Sequence, residues 1–454
     1  MAEILESAGE AAGREDFERA FAQLSELVDL SEADALFPRS GQAVYTASVV
    51  LWMLIYQRMK PDASLEAAVK HLLEAQPQLL PDSKRIREGK LSASTGGYSR
   101  ARNKLPTAGA EWLCEQVSRS LIEATEASWE GRRVYVLDGT TITLAPEPRL
   151  RRQYPPSSSG GDQVWPVALL VMAHELASGA ALRPQIGPMF GPAAVSETAL
   201  ALGCIEQLPP DGIVLADANF GIFAIAWATR QLGRQLVSRL TAQRFHSLRK
   251  QATLTASGEN WKSYAHVWRP TAKDRADHSD WPADAALSVQ LHEIAISPEL
   301  TLYLVSDLPQ GALALADLYQ RRGDIEIDIR NFKVVLNAEN IRARTPEMFH
   351  KELLLSVVSY NLVTQFRRQA AKLAGQPPRR MSFKRTWTTF HTFLLARMQT
   401  TAAEWRQQFE RALRIAATDK LPNRPNRSYP RETYRKRPKS THFLKRKPKP
   451  DNGK

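Results

Sequence analysis

The chain of 454 residues has only two cysteines, Cys114 and Cys204, which lie far apart in the sequence. They form neither a CxxC pair nor a disulfide framework, which excludes a disulfide-stapled secreted fold and indicates a reducing cytosol. The nine histidines are scattered, without a second histidine or a cysteine at metal-binding spacing. A zinc site is therefore not expected.

Long hydrophobic runs are also missing. The longest apolar stretch, "AVYTASVVLWMLIY", spans about 14 residues and is interrupted by Thr and Ser, whereas a bilayer-spanning helix needs about 20. The sequence begins with "MAEILESAGEAAGREDFE", which is acidic and has no apolar signal core. We expect a cytoplasmic protein without a membrane segment.

Three common catalytic motifs are absent: there is no P-loop, no GxGxxG after a predicted strand and no GxSxG. The sequence does have enough apolar residues for a core, 43%, and a net charge of +13. Between Leu421 and Lys454, twelve basic side chains stand against two acidic ones. This excess indicates a polyanionic partner, although a Pro-rich basic tail can also be disordered and merely solubilising.

The pattern of apolar residues divides the sequence into four regions. Residues 1–128 show the spacing of amphipathic helices, as in "SLEAAVKHLLEA". Residues 129–240 and 301–375 combine β-branched strands with helices, which predicts an α/β core with a mixed sheet. Residues 241–300 interrupt this order with short strand-like pieces and are interpreted as an inserted β subdomain. Residues 376–454 are predicted to be a helical C-terminal region that ends in the basic tail.

One polar and basic segment, "SASTGGYSRARNKLP", interrupts the N-terminal helices. It contains Arg100, Arg102 and Lys104 and is predicted to be a turn or loop. Two interpretations are open. The cations contact nucleic acid, or the segment is an ordinary solvated connection.

Two aspartates stand where strands are predicted to end. Asp138 follows "VYVL" and precedes "GTT", and Asp217 follows "IVLA" and precedes "ANFG". An apolar strand followed by Asp and a Gly-containing turn places a carboxylate at the rim of a sheet, where open α/β sheets hold ligands. The alternative is an ordinary turn aspartate, which is common after any strand.

A third carboxylate lies in "YQRRGDIEIDIRNFK", residues 319–333, within a helix predicted over about 312–336. At about 100° per residue, Tyr319, Arg322, Glu326 and Lys333 fall within an arc of about 60°. This arc borders an apolar stripe made of Leu318, Ile325, Ile329, Phe332, Val335 and Leu336. The pattern therefore predicts that Glu326 is held next to the core.

The other acids of this helix, Asp324 and Asp328, fall on the far side and are predicted to be solvated. The helix as a whole also has a simpler interpretation. Pairs at i, i+4, such as Arg322 and Glu326, support any exposed helix.

Asp138, Asp217 and Glu326 together would supply the oxygen ligands that Mg²⁺ or Mn²⁺ prefers. Two such ions can activate a water or a 3′-hydroxyl and stabilise the leaving oxygen of a phosphodiester. Arg322 and Lys333 are residue types that hold phosphates, the first by a bidentate fork and the second as a point charge.

The spacing of Tyr319, Arg322, Glu326 and Lys333 matches, at every position, the Y-(2)-R-(3)-E-(6)-K signature of bacterial DDE transposases of the insertion-sequence-four family. "VLDGTT" and "LADANFG" resemble the two aspartate strands of that family. "TPEMFHKELLLSVVSYNLV" resembles the helix that follows the signature. The chain is therefore similar to this family over residues 130–370.

The resemblance implies a ribonuclease-H-like catalytic core in which Asp138, Asp217 and Glu326 form the DDE triad and bind two Mg²⁺ or Mn²⁺ ions. It implies a transposase of an insertion sequence, an enzyme that cleaves and joins double-stranded DNA by a cut-and-paste route with hairpin ends. Its partners would be the transposon ends and the target DNA, bound by a homodimer in the bacterial nucleoid. The basic tail would then add salt-sensitive affinity for DNA.

The resemblance also implies further DNA contacts. Tyr319, Arg322 and Lys333 would hold phosphates of the transposon end, and the basic N-terminal segment would contact the terminal inverted repeats. Trp268, with Trp281 as a second candidate, would stack on a flipped base. The alternative for either tryptophan is packing in the small core of the inserted subdomain.

Two other functions remain open. A domesticated or regulatory DNA-binding protein keeps this fold without transposing, and a free-standing nuclease uses the same core. The intact triad and the intact signature favour an active transposase.

Overall fold

The computed structural model describes Leu24 and residues 26–39, 43–60, 63–75, 80–81, 84–157, 165–394 and 402–421. The acidic start of the chain and the basic tail beyond Leu421 lie outside the described residues, together with the predictions made for them. In the described part of the chain, no helix is long and apolar enough to cross a membrane.

Helices precede the sheet, as predicted for this region. They are α1 (Glu32–Leu36), α2 (Ala47–Met59), α3 (Leu65–Ala75), α4 (Lys84–Arg87), α5 (Gly96–Lys104) and α6 (Thr107–Glu123). Helix α2 contains most of the longest apolar stretch of the sequence and is buried along most of its length. It begins after Thr46, whose hydroxyl accepts a hydrogen bond from the N–H of Val49 and so caps the first turn.

Helix α5 corrects the interpretation of the basic segment, which was predicted to be a turn or loop. The segment is helical from Gly96 to Lys104 because Tyr98 and Ala101 are buried against the neighbouring helices. The Tyr98 hydroxyl also donates a hydrogen bond to Gln57 Oε1 of α2 at 2.7 Å. These tertiary contacts outweigh the poor helix propensity of the two glycines at the start of α5.

In the described residues, nine strands form one sheet in the order β3-β2-β1-β4-β5-β9-β8-β7-β6. They are β1 (Val134–Thr143), β2 (Val167–Glu175), β3 (Gln185–Pro188), β4 (Ile213–Ala216), β5 (Gln235–Arg239), β6 (Thr253–Ser257), β7 (Trp261–Trp268), β8 (Leu287–Ser297) and β9 (Leu300–Ser306). Strands β1, β4 and β5 run parallel, and the other neighbouring pairs are antiparallel. The predicted mixed α/β fold is confirmed.

The region 241–300 contains strands, as its pattern predicts, but these strands do not form a sheet of their own. Strand β8 pairs with β9 along most of its length. Strand β9 in turn pairs with β5, with Val237 opposite Ser306. The strands β6 to β8 therefore extend the sheet of the core.

Helices also lie between the strands and after them. They are α7 (Pro148–Gln153), α8 (Glu197–Glu206), α9 (Phe223–Gln231), α10 (Ala242–Arg249), α11 (Ala272–Asp277), α12 (Ala312–Gln320), α13 (Asp324–Arg330), α14 (Pro346–Leu373), α15 (Phe383–Leu394) and α16 (Ala402–Ala417). Helix α14 begins at Pro346, as predicted, after Thr345 caps it by accepting from the N–H of Met348 at 3.2 Å. It is buried along most of its length and packs against α2, α6, α15 and α16, so it joins the N-terminal and C-terminal helices.

Asn361 is a fully buried polar residue in the middle of α14. Its Oδ1 accepts a hydrogen bond from the N–H of Ala181 at 2.9 Å. Its Nδ2 donates to the Ala181 carbonyl at 2.8 Å and to Ser118 Oγ at 3.1 Å. Asn361 therefore links α14 both to α6 and to the segment that follows β2.

We expect Asn361→Ala to lower the free energy of unfolding by about 1–3 kcal/mol, because the buried N–H of Ala181 loses its acceptor. Urea unfolding at constant m-value measures the change. Asn103→Ala, at an exposed position, is the control and should change the free energy by less than about 0.5 kcal/mol. Equal effects of the two substitutions would contradict this account.

Candidate active site

Asp138 and Asp217 lie side by side at the sheet. The parallel strands β1 and β4 pair with Val136 opposite Leu215, and two further residues in this register bring Asp138 next to Asp217. Asp217 directly follows β4, as predicted. Asp138 is not at the end of β1. The antiparallel partner β2 is longer than the parallel partner β4 and holds β1 in extended form as far as Thr143. Asp138 nevertheless lies beyond the last residue of β1 that pairs with β4.

Glu326 reaches the two aspartates from a helical segment that crosses β1. The single helix predicted here is a succession of α12, a 3-10 turn (Arg321–Gly323), α13 and a π turn (Asn331–Val335). Ile325 and Ile329 of α13 are buried in one cluster with Val136 of β1, so the predicted apolar stripe does face the core. Glu326 lies beside that stripe, and its side chain is 44% exposed.

A single guanidinium lies between the three carboxylates. Arg322 Nη2 is 3.3 Å from Asp138 Oδ2 and 3.7 Å from Asp217 Oδ2. Arg322 Nη1 is 3.1 Å from Glu326 Oε1. The structure thus brings together the three acids that the sequence singled out, and one positive charge meets three negative ones. The excess of negative charge attracts a further cation.

Backbone groups hold one oxygen of each aspartate. The N–H of Gly139 donates to Asp138 Oδ1 at 2.9 Å, and the N–H of Asn219 donates to Asp217 Oδ1 at 2.9 Å. The second oxygen of each aspartate faces Arg322. The two carboxylates therefore have fixed orientations before any ligand binds.

Burial raises the pKa of Asp138 above its usual value. Arg322 acts in the opposite direction, because its positive charge stabilises the ionised carboxylate. The negative charges of Asp217 and Glu326 raise the pKa further. Asp138 is thus a group whose charge state depends directly on Arg322.

The other two signature residues lie near the same face of β1. Burial raises the pKa of Tyr319 to about 12, so its hydroxyl is a neutral hydrogen-bond donor at neutral pH. Lys333 Nζ donates to the carbonyl of Thr141 at 2.8 Å and to Thr140 Oγ1 at 3.3 Å. Thr140 is two residues from Asp138 in the same strand and therefore points to the same face.

The basic residues of α5 are not part of this site. Arg100 and Lys104 are exposed on α5, and Arg102 Nη1 lies 3.9 Å from Glu352 Oε1 of α14. Arg102 therefore has a partner inside the helical layer. Arg100 and Lys104 are the two cations of the segment that face solvent.

Trp268, predicted to stack on a base, is buried in an aromatic cluster. Its side chain is 4% exposed and makes an edge-to-face contact with Phe223 at 5.8 Å between ring centroids. Trp281 lies 5.3 Å from the same phenylalanine, is partly exposed, and stacks on His278 at 4.2 Å. In this conformation Trp268 packs in the protein and presents no free ring face to a base.

Asp324 and Asp328, both predicted to be solvated, have different surroundings. Asp324 is partly exposed, but Asp328 is 1% exposed. Asp328 Oδ2 lies 2.8 Å from Arg379 Nη2, and its Oδ1 accepts a hydrogen bond from the Tyr360 hydroxyl at 3.1 Å. The prediction for Asp328 is wrong because α14 and the turn after it cover the side of α13 that a single-helix projection leaves open. The local sequence pattern contains no signal for Arg379.

A sequence model of the family described as "Transposase DDE domain" matches residues 129–362, just over half of the chain. The chain belongs to this transposase family. The match runs from just before β1 into α14, so it includes the three carboxylates and the whole signature segment. The prediction of a DDE transposase is thereby confirmed, and the family implies nuclease and transesterification activity.

No curated protein matches this transposase. Among solved structures, it is similar to the piggyBac transposase synaptic complex with hairpin DNA, determined by cryo-electron microscopy, at 12% sequence identity and a TM-score of 0.39. The similarity covers 91% of this chain and 86% of that chain.

DDE transposases generally use divalent metal ions, and the carboxylates of this transposase fit such an ion chemically. In the described residues, no three His, Cys, Asp or Glu side chains are placed to hold a metal directly. Asp138, Asp217 and Glu326 nevertheless face one cation, the Arg322 guanidinium. Their donor atoms are all oxygen, the preference of Mg²⁺ and Mn²⁺.

We expect Arg322→Ala to raise the pKa of Asp138 further, because the carboxylate loses its neighbouring positive charge. A pKa that is higher in the folded protein than in the unfolded chain gives stability at low pH that is lost as the pH rises through the folded value. Relative to the wild type, the free energy of unfolding of Arg322→Ala should therefore fall as the pH rises through the interval between the two folded-state pKa values of Asp138, which lies above the usual aspartate pKa. Urea unfolding at a series of pH values, without divalent ions, measures this difference. A difference that is constant with pH would contradict the predicted coupling.

Proposed function

We propose that this protein is an insertion-sequence transposase of the insertion-sequence-four family, and that Asp138, Asp217 and Glu326 are its catalytic, metal-binding residues. The observation that carries the proposal is the convergence of these three carboxylates on one cation, within 3.7 Å of Arg322. A pair of Mg²⁺ or Mn²⁺ ions, when bound, supplies the activated water or 3′-hydroxyl and stabilises the leaving oxygen. The carboxylates would hold these ions, and no protein nucleophile is needed.

The complete Y-(2)-R-(3)-E-(6)-K spacing supports the assignment to this particular family. The order of elements supports a ribonuclease-H-like core over residues 129–240 and 301–375. Three antiparallel neighbours, β3-β2-β1, are followed by β4 and β5, each preceded by a helix. The segment 241–300 is then an insertion within it.

Arg322 has two successive partners in this proposal. Without DNA, its guanidinium holds the three carboxylates near one another and reduces their mutual repulsion. When a transposon end binds, the guanidinium moves to a phosphate, which offers the same bidentate geometry as a carboxylate. The carboxylates are then free to coordinate metal, so binding of metal and binding of DNA support each other.

Tyr319 and Lys333 hold the DNA strand on either side of the phosphate that Arg322 binds. The neutral hydroxyl of Tyr319 donates to a phosphate oxygen, and the Lys333 ammonium supplies a point charge. The contacts of Lys333 with Thr140 and Thr141 hold its charge over β1 until DNA arrives. Both residues act on the phosphates beside the scissile bond.

Other parts of the chain complete the transposase in this proposal. The helical N-terminal region, 1–128, binds the terminal inverted repeats, with Arg100 and Lys104 as its exposed cations. A homodimer pairs two transposon ends and cuts them through hairpins. Trp281, the more exposed of the two predicted tryptophans, is the better placed to stack on a flipped base.

We expect Asp138→Asn, Asp217→Asn and Glu326→Gln each to abolish Mg²⁺-dependent cleavage and joining of the element's end DNA, because each removes a metal-binding charge. Losses of about 10³-fold or more are typical when a group of this kind is removed. Cleavage is measured on labelled end duplexes, and binding is measured in parallel by gel shift. The three variants should still bind the duplex.

The outcomes separate the candidate functions. Retained cleavage in all three variants would refute the assignment of the triad. A wild-type protein that binds end DNA without cleaving it would be a domesticated or regulatory DNA-binding protein. Cleavage of arbitrary DNA without joining would indicate a free-standing nuclease.

We expect Lys333→Ala to weaken formation of the end complex and strand joining while leaving the fold intact, because its partners are a threonine hydroxyl and a carbonyl at the edge of the site. The loss of one phosphate contact should also make the dependence of log affinity on log salt concentration shallower, reducing the magnitude of its slope by about 0.9. Lys384→Ala, at an exposed lysine on α15, is the control. A Lys333→Ala protein that is unfolded, or that keeps the wild-type salt slope, would count against the proposed phosphate contact.

A further inference from the structure

The helix that carries Glu326 is short and irregular. Helix α13 has seven residues, Asp324–Arg330, and lies between a 3-10 turn and a π turn. A helix of this length has little stability of its own. Gly323, directly before it, adds backbone freedom. The position of Glu326 therefore depends on tertiary contacts of α13.

Apolar contacts fix one side of α13. Ile325 and Ile329 are buried against the sheet in one cluster with Leu318 of α12. Apolar burial is not directional, so it permits sliding and rotation of a short helix on the sheet. A directional contact is needed to define where Glu326 points.

Asp328 supplies directional contacts on the other side of α13. It accepts a hydrogen bond from the Tyr360 hydroxyl at 3.1 Å and forms an ion pair with Arg379 at 2.8 Å. Burial acts to raise the pKa of Asp328, but the charges of Arg379 and its neighbours outweigh this effect and keep the pKa below its usual value. Asp328 is therefore ionised at neutral pH. His174, 3.7 Å away, is neutral there, because burial lowers its pKa to about 4, so that contact is not an ion pair.

Arg379 joins α13 to the backbone at the end of β2. It lies in the short 3-10 turn Pro378–Arg380 that follows α14, and its guanidinium also donates to the carbonyls of Leu176 and Glu175 (3.3 Å to the latter). The Glu175 carboxylate in turn accepts from the N–H of Ser178 at 2.7 Å, which fixes the turn after β2. Arg379 thus connects α13 to the end of β2, the strand that pairs with β1.

We propose that Arg379 and Asp328 are positioning residues of the transposase, which fix the orientation of Glu326 relative to Asp138 and Asp217. Glu326 is two residues before Asp328 in the same helix, and Asp138 lies in the strand next to β2. The ion pair between Asp328 and Arg379 therefore connects the helix of Glu326 to the strand that pairs with the strand of Asp138. This inference rests on the proposed catalytic role of Glu326.

The molecule contains a matched control for this ion pair. Asp324 contacts the same Arg379 side chain from one turn earlier in α13, but at 3.8 Å and at a partly exposed position. Asp324→Asn and Asp328→Asn remove the same charge from the same helix. Only Asp328→Asn leaves the largely buried guanidinium of Arg379 without its closest carboxylate partner.

The test uses the full chain with two measurements. Hydrogen exchange of residues 324–335 reports the anchoring of α13 without any metal or DNA. The Mg²⁺ concentration that gives half-maximal cleavage of end DNA reports the geometry of the carboxylates. For Asp328→Asn we expect exchange about tenfold faster in this segment, with the strands unchanged, and a Mg²⁺ midpoint raised about tenfold, which is the scale of losses from outer-shell substitutions at metal sites. Asp324→Asn should change both by less than about twofold.

Tyr360→Phe provides a milder variant if Asp328→Asn does not fold. It removes only the hydroxyl that donates to Asp328 and keeps the ring, and we expect about a threefold shift in the Mg²⁺ midpoint. Unchanged midpoints in folded Asp328→Asn and Tyr360→Phe would overturn the proposal, and so would equal shifts in Asp324→Asn. Normal exchange of residues 324–335 in both variants would overturn it as well.

A different experimental result would refute the proposed catalytic role of Glu326. If Glu326→Gln leaves the Mg²⁺ midpoint and the cleavage rate unchanged, Glu326 is not a catalytic residue. The positioning role of Arg379 and Asp328 is then rejected with it, whatever the hydrogen exchange shows. Loss of activity in Glu326→Gln with no effect of Asp328→Asn rejects the positioning role alone.

Discussion

Three carboxylates lie close to one another in the candidate active site, and their mutual repulsion must be offset for the site to stay assembled. Asp138 lies in β1, Asp217 directly follows β4 and Glu326 lies in α13, so the fold places three like charges near one another. Without a cation between them, their negative charges would favour proton uptake or separation of the elements. The guanidinium of Arg322 supplies this cation in the absence of other ligands. The three acids can thus stay assembled in the absence of DNA.

The segment 319–333 shows which parts of the site a sequence can predict. The stripe through Ile325 and Ile329 and the edge that carries Arg322 and Glu326 follow from local periodicity, and the structure has them as predicted. Asp328 does not follow from periodicity, because its surroundings are set by Arg379, some fifty residues later. A helical projection defines which side chains share a face. It does not define how many faces other elements cover.

The same limit explains the differences in the fold. β1 continues past Asp138 because its partner β2 is long, and α5 is helical because Tyr98 and Ala101 are buried by other helices. Both outcomes depend on neighbours outside the segment concerned. The mixed α/β class, by contrast, follows from the strand and helix patterns of the segments themselves, so the sequence was sufficient to predict it.

The continuous sheet also explains how the third acid can be so far from the second along the chain. Residues 241–300 separate the strand of Asp217 from the helix of Glu326, and a flexible connection of this length would leave that helix poorly placed. Strand β9 fixes where this helical segment begins. It pairs with β5, the strand beside β4, and is followed closely by α12. Backbone hydrogen bonds between β9 and β5 therefore fix the place where the chain returns to the core after residues 241–300. The position of Glu326 then depends on the pairing of β9 with β5 and not on the length of residues 241–300.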